Sequence, residues 1–390
     1  MITLIEALNY RCLRSIRQPL GSFHVLVGPN ASGKTTFLDV IAFLGRLVSN
    51  GPDAAVEERS QNFYDLVWGR EGTRFELAIE ARIPEELRNR LLDRDTDTVR
   101  YEVVLSIDLK TQERGLTRER VLLKGQSSIV RTILDKDPET YDWVNSEVTS
   151  LRALPGLKFG SRRSTLGNLP GDESLFPVSM WLREILTSGI QQLVLSGLLL
   201  GRPSPPGQGV GLRSDGSNLP WVVEELRHRS PERFRQWIAH LQTAFPDLQD
   251  IKTVERPEDR HRYLVLKYSE GLEVPSWMAS DGTLRMLALT LPAYLEGFKG
   301  IYLIEEPENG IHPRAIETMT QSLSSVYDAQ VLLATHSPVI LSTVEAEQVL
   351  CFSKTSEGAT EIVRGSEHPA LQSWKHETTL GTLFAAGVLG

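Results

Sequence analysis

The sequence predicts an α/β fold built on a buried parallel sheet, and three short stretches predict it. Phe23–Val27 reads Phe-His-Val-Leu-Val, residues 301–304 read Ile-Tyr-Leu-Ile, and residues 331–334 read Val-Leu-Leu-Ala. Runs this short and this apolar suit strands covered on both faces. Each delivers the chain into residues that carry chemistry. Residues 28–35 follow the first run, Glu305-Glu306-Pro307-Glu308 closes the second, and Thr335-His336-Ser337-Pro338 closes the third. In sheets of this kind the strand C-termini gather where a ligand sits.

Residues 28–35, Gly-Pro-Asn-Ala-Ser-Gly-Lys-Thr, fit the pattern G-x-x-x-x-G-K-[ST]. Beyond them Phe37, Leu38, Ile41, Ala42, Leu44 and Leu47 recur at helical spacing. A strand before and a helix after is the context in which this pattern binds phosphate. Glycines let backbone N–H groups curl around an anion, and the helix start adds partial positive charge. On this reading Gly28, Asn30, Ala31, Ser32, Gly33, Lys34, Thr35 and Thr36 form the cradle. Lys34 reaches the β- and γ-phosphates and the Thr35 hydroxyl binds Mg²⁺. The competing reading, a glycine-rich turn that only caps a helix, leaves the lysine and threonine unexplained.

Taken in order, residues 1–28 read as two strands and a turn, the second strand feeding the loop. Residues 49–72 are a polar connector. Phe75, Leu77, Ile79 and Ala81 alternate with polar residues, as in a half-buried strand. Residues 101–109 repeat that alternation, and residues 121–123 are a third short candidate, which together give an antiparallel β-lobe. Asp93-Arg94-Asp95-Thr96-Asp97 could be a carboxylate metal cluster, but interleaved arginines favour a solvated turn. Residues 139–250 read as a mostly helical insertion, with helical periodicity over 181–200 and 221–245 around the Pro/Gly-rich loop 203–209. Its basic residues Arg152, Lys158, Arg162 and Arg163 suit solvated charge better than a nucleic-acid face. From residue 251 the α/β pattern resumes, with strands expected over 263–268, 301–305, 331–335 and 349–352. The expected segments are therefore 1–138, with phosphate loop and β-lobe, 139–250, helical, and 251–390, completing the α/β layer.

The second and third runs carry the remaining candidates. An apolar strand ending in Glu305 and Glu306 matches a Walker B element: the first acid would hold Mg²⁺ and the second would polarise the attacking water. His336, at the end of another buried strand, could reach a γ-phosphate, although a lone histidine is more often structural. Ser280-Asp281-Gly282-Thr283 precedes Leu284, Leu287, Ala288, Leu291 and Leu295 on one helical face, so Ser280 or Asp281 can cap a helix whose N–H groups face an anion. An ordinary capped helix fits the same residues. Pro292 predicts a kink.

Composition sets outer limits. The chain has 390 residues, 41% hydrophobic and 24% charged, ordinary for a globular protein. A net charge of −8 draws it to no nucleic acid globally, so any DNA contact needs a local basic face. Two distant cysteines, Cys12 and Cys351, fit a reducing compartment, and no basic n-region begins the chain; a cytoplasmic setting is expected. The longest uncharged run, residues 185–201, is broken by Gln191, Gln192 and glycines, so no membrane span is expected.

With these four elements in hand, the chain resembles the ABC-type ATPases of the SMC/RecF/OLD group, and most of all the bacterial AAA-family ATP-binding proteins. The strings that carry the resemblance are residues 28–36, 280–287, 304–313 (Ile-Glu-Glu-Pro-Glu-Asn-Gly-Ile-His-Pro) and 334–338. Asn9-Tyr10-Arg11 resembles the group's N-terminal Asn-Phe-Arg, and residues 215–219 and 380–384 also match. The resemblance implies an ABC/SMC-like P-loop head. It implies a homodimer or higher homo-oligomer that sandwiches ATP between one subunit's phosphate loop and the other's Ser280, Asp281 and Gly282. It also implies Glu306 as catalytic glutamate, His336 as switch histidine, Lys34 on the phosphates, Thr35 and Glu305 on Mg²⁺, and Arg11 near the nucleotide. Three departures stand out: Glu305 where many relatives have Asp, Ser-Asp-Gly-Thr in place of the transporter Leu-Ser-Gly-Gly, and Ala31 where many have Gly. Gln61 is the candidate for the lid-loop glutamine. About 54 residues follow His336, too few for the Toprim nuclease of some OLD relatives. The resemblance suggests a sensor or motor for a separately encoded effector, a nuclease, in antiviral defence. It leaves open a RecF-like repair ATPase that binds DNA directly, and a scaffold that ATP only locks.

Overall fold

A computed structural model of the chain describes residues 1–125, 130–136, 142–149, 152–157, 160–209, 211–369 and 379–387. The chain divides into two compact units. The first comprises Met1–Ser22, Gly28–Ile190 and Cys351–Val363; the second comprises Phe23–Val27, Gln191–Leu350 and Arg364–Gly390.

The first 28 residues form three strands, not two: β1 (Ile2–Tyr10), β2 (Leu13–Pro19) and β3 (Phe23–Val27). The hairpin strand β2 escapes a pattern search because it buries only Leu13, Ile16 and Gln18, while Arg14, Ser15 and Arg17 are exposed. In the first unit β1 and β2 join β4 (Arg74–Arg82), β5 (Thr96–Ile107), β6 (Arg114–Gly125), β7 (Val130–Lys136), β8 (Asp142–Asn145) and β9 (Arg152–Leu157). These make one antiparallel sheet in the order β2-β1-β4-β5-β6-β7-β8-β9. The expected period-two alternation is there: β4 buries Phe75, Leu77, Ile79 and Ala81, and β5 buries Val99, Tyr101, Val103, Leu105 and Ile107. Asp93-Arg94-Asp95 is a turn, closed by the Asp95 N–H donating to Asp93 Oδ1 at 3.0 Å. Lys158 lies outside the described residues, Arg152 begins β9, and Arg162 pairs with Glu113 at 3.8 Å.

One buried carboxyl staples this lobe. Glu119 on β6 is fully buried. It accepts hydrogen bonds from the Tyr101 hydroxyl (2.7 Å), the Ser164 hydroxyl (2.6 Å) and the N–H groups of Thr165 (2.6 Å) and Leu166 (3.2 Å). Burial, and then the Glu119 carboxyl beside it, push the Tyr101 phenol well above its ordinary pKa, so Tyr101 stays a donor. Truncating Glu119 strands these donors in an apolar interior. We expect Glu119→Ala to cost about 3 kcal/mol, read as a thermal-unfolding shift of several degrees; a shift under one degree would contradict the staple.

Among the described residues, the helices of ten or more residues are α1 (Lys34–Asn50), α2 (Pro177–Ser188), α3 (Leu219–Arg229), α4 (Pro231–Ala244), α5 (Asp281–Thr290) and α6 (Pro313–Ser324). Helical periodicity over 181–200 gives way to the strand β10 (Ile190–Leu193). The second run, 221–245, splits into α3 and α4 at Ser230-Pro231, because proline starts a helix well but cannot continue one.

The second unit holds an antiparallel sheet of β11 (Leu248–Glu255), β12 (Arg262–Tyr268) and β13 (Glu273–Pro275). It also holds the parallel layer, with β14 (Ile301–Glu305) and β15 (Gln330–Ala334) running in the order β10-β14-β15-β3, then β16 (Val349–Lys354), within which the chain leaves this unit. The remaining strand, β17 (Thr360–Arg364), falls almost entirely in the first unit. The expected kink at Pro292 is a helix end: α5 stops at Thr290 and residues 291–293 form a 3₁₀ turn, so Leu295 lies off the helix. Thr290 ties this end down by accepting from the Trp237 indole N–H at 2.9 Å. Among the described residues, no helix is long and apolar enough to cross a membrane.

Candidate functional site

The phosphate loop belongs to the first unit. It departs from β3 at Gly28, whose φ of +145° and lack of a side chain are both required: a Cβ there would lie 2.1 Å from the Phe352 carbonyl oxygen. Gly33 (φ +107°) is equally hemmed in, its Cβ position 2.2 Å from Thr360 Oγ1. Ala31 takes φ +61°, so the residue found where relatives carry glycine is held left-handed. Reversals of handedness along a short loop turn successive N–H groups toward one side, which builds an anion nest. The first turn of α1 has no side-chain cap and no acid. A helix start without acids favours an anion. Ser32 Oγ is buried without a hydrogen-bond partner among the described residues. Lys34, 8% exposed, donates to the carbonyls of Gly28 (2.7 Å) and Pro29 (3.0 Å). Asn30 and Thr35 are exposed and Thr36 is half-buried. The loop fits a polyphosphate.

Two neighbours of the loop were not legible in sequence. Thr360, opening β17, donates its hydroxyl to the Ser32 carbonyl (2.8 Å) and its N–H to the Cys12 carbonyl (2.9 Å), clamping the loop to the β1–β2 turn. Asp39, on α1, takes Arg59 (2.6 Å), the Tyr10 hydroxyl (2.5 Å) and, more loosely, Arg11 (3.6 Å). Arg59 and Tyr10 occupy this carboxylate at closer range, so Arg11, on a backbone of φ +51°, is the cation most easily moved. Burial, and then Asp39, raise the Tyr10 pKa well above its ordinary value. Gln61, also in the first unit, borders a polar cleft of about 460 Å³ with Asn62 and Arg114.

In the second unit the parallel layer aligns the other candidates. Glu305 stands opposite Ala334 in the β14–β15 register, and Ala334 opposite Leu26 in the β15–β3 register. The Thr335 N–H donates to the Leu26 carbonyl at 3.0 Å, and the Glu306 N–H donates to the Ala334 carbonyl at 2.8 Å. The last residues of β3, the Glu305-Glu306 pair and His336 thus leave one sheet end side by side, about 5 Å apart per strand. Glu305 and Glu306 are exposed and His336 is half-buried. Glu306 sits at φ +46° and its carboxylate accepts from Asn309 Nδ2 at 2.6 Å.

The signature residues lie in the same unit. Ser280 is the N-cap of α5: its hydroxyl accepts from the Thr283 N–H at 3.1 Å, and Asp281 pairs with Arg285 at 2.7 Å. Gly282 is a packing glycine, since a Cβ there would sit 2.2 Å from the Gly310 carbonyl of the turn after Glu306. The start of α5 and that turn are therefore in backbone contact.

A sequence model for the family "AAA domain, putative AbiEii toxin, Type IV TA system" matches residues 23–342. The chain belongs to this AAA-domain family. The match begins with β3 and takes in the phosphate loop, the signature helix, the Glu305-Glu306 turn and His336. A relative is the "Retron Vc95 probable ATPase" of Vibrio cholerae serotype O1 biovar El Tor, 26% identical over 193 residues, 40% of this chain and 37% of that protein. The chain spans just over a third of the length of this curated relative. Two solved structures share the fold. One is the Smc head bound to the C-terminal winged-helix domain of ScpA, at TM-score 0.56 and 15% identity, covering 93% of this chain and 97% of that one. The other is the Smc head with an extended coiled coil bound to the C-terminal domain of ScpA from Pyrococcus furiosus, at TM-score 0.51 and 14% identity, covering 93% and 95%. The AAA-domain chain thus has an α/β P-loop fold of the kind seen in Smc heads, with an antiparallel β-lobe as its sequence predicts.

Proposed function

We propose that this protein is an ATP-hydrolysing switch that works in the cytoplasm with a separately encoded effector, a nuclease, in defence against phage. Two copies close over ATP, and hydrolysis reopens them. The observation that supports the reading is the register of β3, β15 and β14, by which the last residues of β3, His336 and the Glu305-Glu306 pair leave one end of one sheet.

In this reading the loop N–H groups and Lys34 bind the β- and γ-phosphates, and Arg11 leaves Asp39 for the nucleotide. Glu306 orients and deprotonates the attacking water, and His336 senses the γ-phosphate. Ser280, Asp281 and Gly282 present the start of α5 to the nucleotide held by the second copy. Thr35 and Glu305 would hold Mg²⁺, and a hydroxyl and a carboxylate are the hard oxygen donors that ion takes. When bound, Mg²⁺ neutralises phosphate charge.

Both comparison names support a partnered setting, one through a toxin–antitoxin system and the other through a retron. Purification of the tagged protein from its host, with ATP and with ADP, tests it. A second protein that copurifies in an ATP-dependent ratio is the expected result. Pure protein that instead binds DNA ends or gaps only with ATP would favour direct DNA repair.

A further inference from the structure

The third acid of the Glu305-Glu306-Pro307-Glu308 turn behaves unlike the first two. Glu305 and Glu306 are exposed, whereas Glu308 is half-buried and turned to the neighbouring strand end. Its Oε1 accepts two hydrogen bonds from the β15 exit: the Thr335 hydroxyl at 2.6 Å and the His336 N–H at 3.0 Å. Thr335 is fully buried, and its Oγ1 also accepts from the Ser337 N–H at 2.9 Å. Glu308 Oε2 is buried with no hydrogen-bond partner among the described residues. Two of the three residues in the His336 loop thus bond directly to one carboxylate, and the third bonds to it through Thr335. That carboxylate lies two residues from Glu306 on a turn started by the buried Pro307. Turn and loop share one further bond, from the Glu306 N–H to the Ala334 carbonyl.

We propose that Glu308 is a positioning residue for ATP hydrolysis: by gripping Thr335 and the His336 amide, it fixes the histidine loop relative to the turn that carries Glu306. This inference rests on the ATPase reading. A carboxylate suits the task because one oxygen can accept two donors and charge shortens both bonds. Glutamine keeps an oxygen acceptor of the same reach, and alanine keeps none. A purely fold-holding acid would set stability, not the order of two loops that each carry a group for the reaction.

The test compares Glu308→Ala, Glu308→Gln and Thr335→Val in the full chain. Turnover, the Kd for a fluorescent ATP analogue and amide hydrogen exchange over residues 335–337 are measured for each. Displacing a reacting group by about 1 Å costs on the order of 100-fold, so Glu308→Ala should lower kcat about 100-fold. Its Kd should stay within about threefold of the parent, with faster exchange at 335–337. Thr335→Val should move the same quantities in the same direction, and Glu308→Gln should recover kcat to within about tenfold. Glu308→Ala at parental kcat overturns the inference. So does lost turnover with unchanged exchange, and so does a glutamine variant as damaged as the alanine one. A parent protein without turnover overturns the ATPase reading instead, while the exchange comparison still decides whether Glu308 tethers the histidine loop.

Discussion

Glu306→Gln should lower ATP turnover by two to four orders of magnitude and leave ATP binding intact. The size follows from the role: a positioned general base contributes about 10²–10⁴-fold, or about 3–5 kcal/mol of barrier. The fold should survive, because the Asn309 side chain can donate to a glutamine oxygen as it does to Glu306, and the backbone N–H bond to Ala334 is untouched. A left-handed φ of +46° at a non-glycine residue costs on the order of 1 kcal/mol, and the turn holds it in both proteins. What changes is the ability to take a proton from water. With hydrolysis blocked, ATP persists, and the variant should elute as a dimer with ATP and as the smaller species with ADP. Steady-state phosphate release and size-exclusion chromatography read the two halves. A Glu306→Gln protein that hydrolyses at the parent rate removes Glu306 from the chemistry.

How far the sequence reaches is set by how local each signal is. The phosphate loop, the acids closing β14 and the histidine after β15 are legible because each is an apolar run of about five residues followed by its functional group. Period-two alternation exposes β4 and β5 for the same reason. Signals fail where the partner is remote. Glu308 stands in plain view within Glu-Glu-Pro-Glu, yet nothing local says that it faces Thr335, 27 residues on. Glu119 reads as one more charge on a strand until Tyr101 and Ser164 close around it. Asp39 looks like a polar position on an amphipathic helix, and only the structure brings Arg59 and Tyr10 to it. Hairpin strand β2 is lost because arginines fill its outer face, and β10 because four residues after a helix carry no period of their own.

Lys34→Ala should abolish measurable nucleotide binding, weakening ATP affinity by at least about 100-fold. Lys34 is nearly buried, and its ammonium is held by the Gly28 and Pro29 carbonyls, two acceptors contributed by the loop itself. The cation is thus already stripped of most of its water and needs little rearrangement to exchange carbonyl oxygens for phosphate oxygens. A charge-assisted bond of this kind is about twice as strong as a neutral one, and its loss takes from the β- and γ-phosphates the one cation the loop itself supplies. Lys34→Arg should not rescue binding. The planar guanidinium is broader than an ammonium, and Lys34, nearly buried, holds its ammonium against two loop carbonyls at 2.7 and 3.0 Å, a point-charge geometry that a planar fork does not reproduce. The variants should keep the parent's circular dichroism and unfold within a few degrees of it, since Pro29 is exposed and water can replace the missing donor. Equilibrium titration with a fluorescent ATP analogue decides the matter. An alanine variant that binds within threefold of the parent would mean that the nest alone holds the phosphates and that Lys34 serves the loop's own closure.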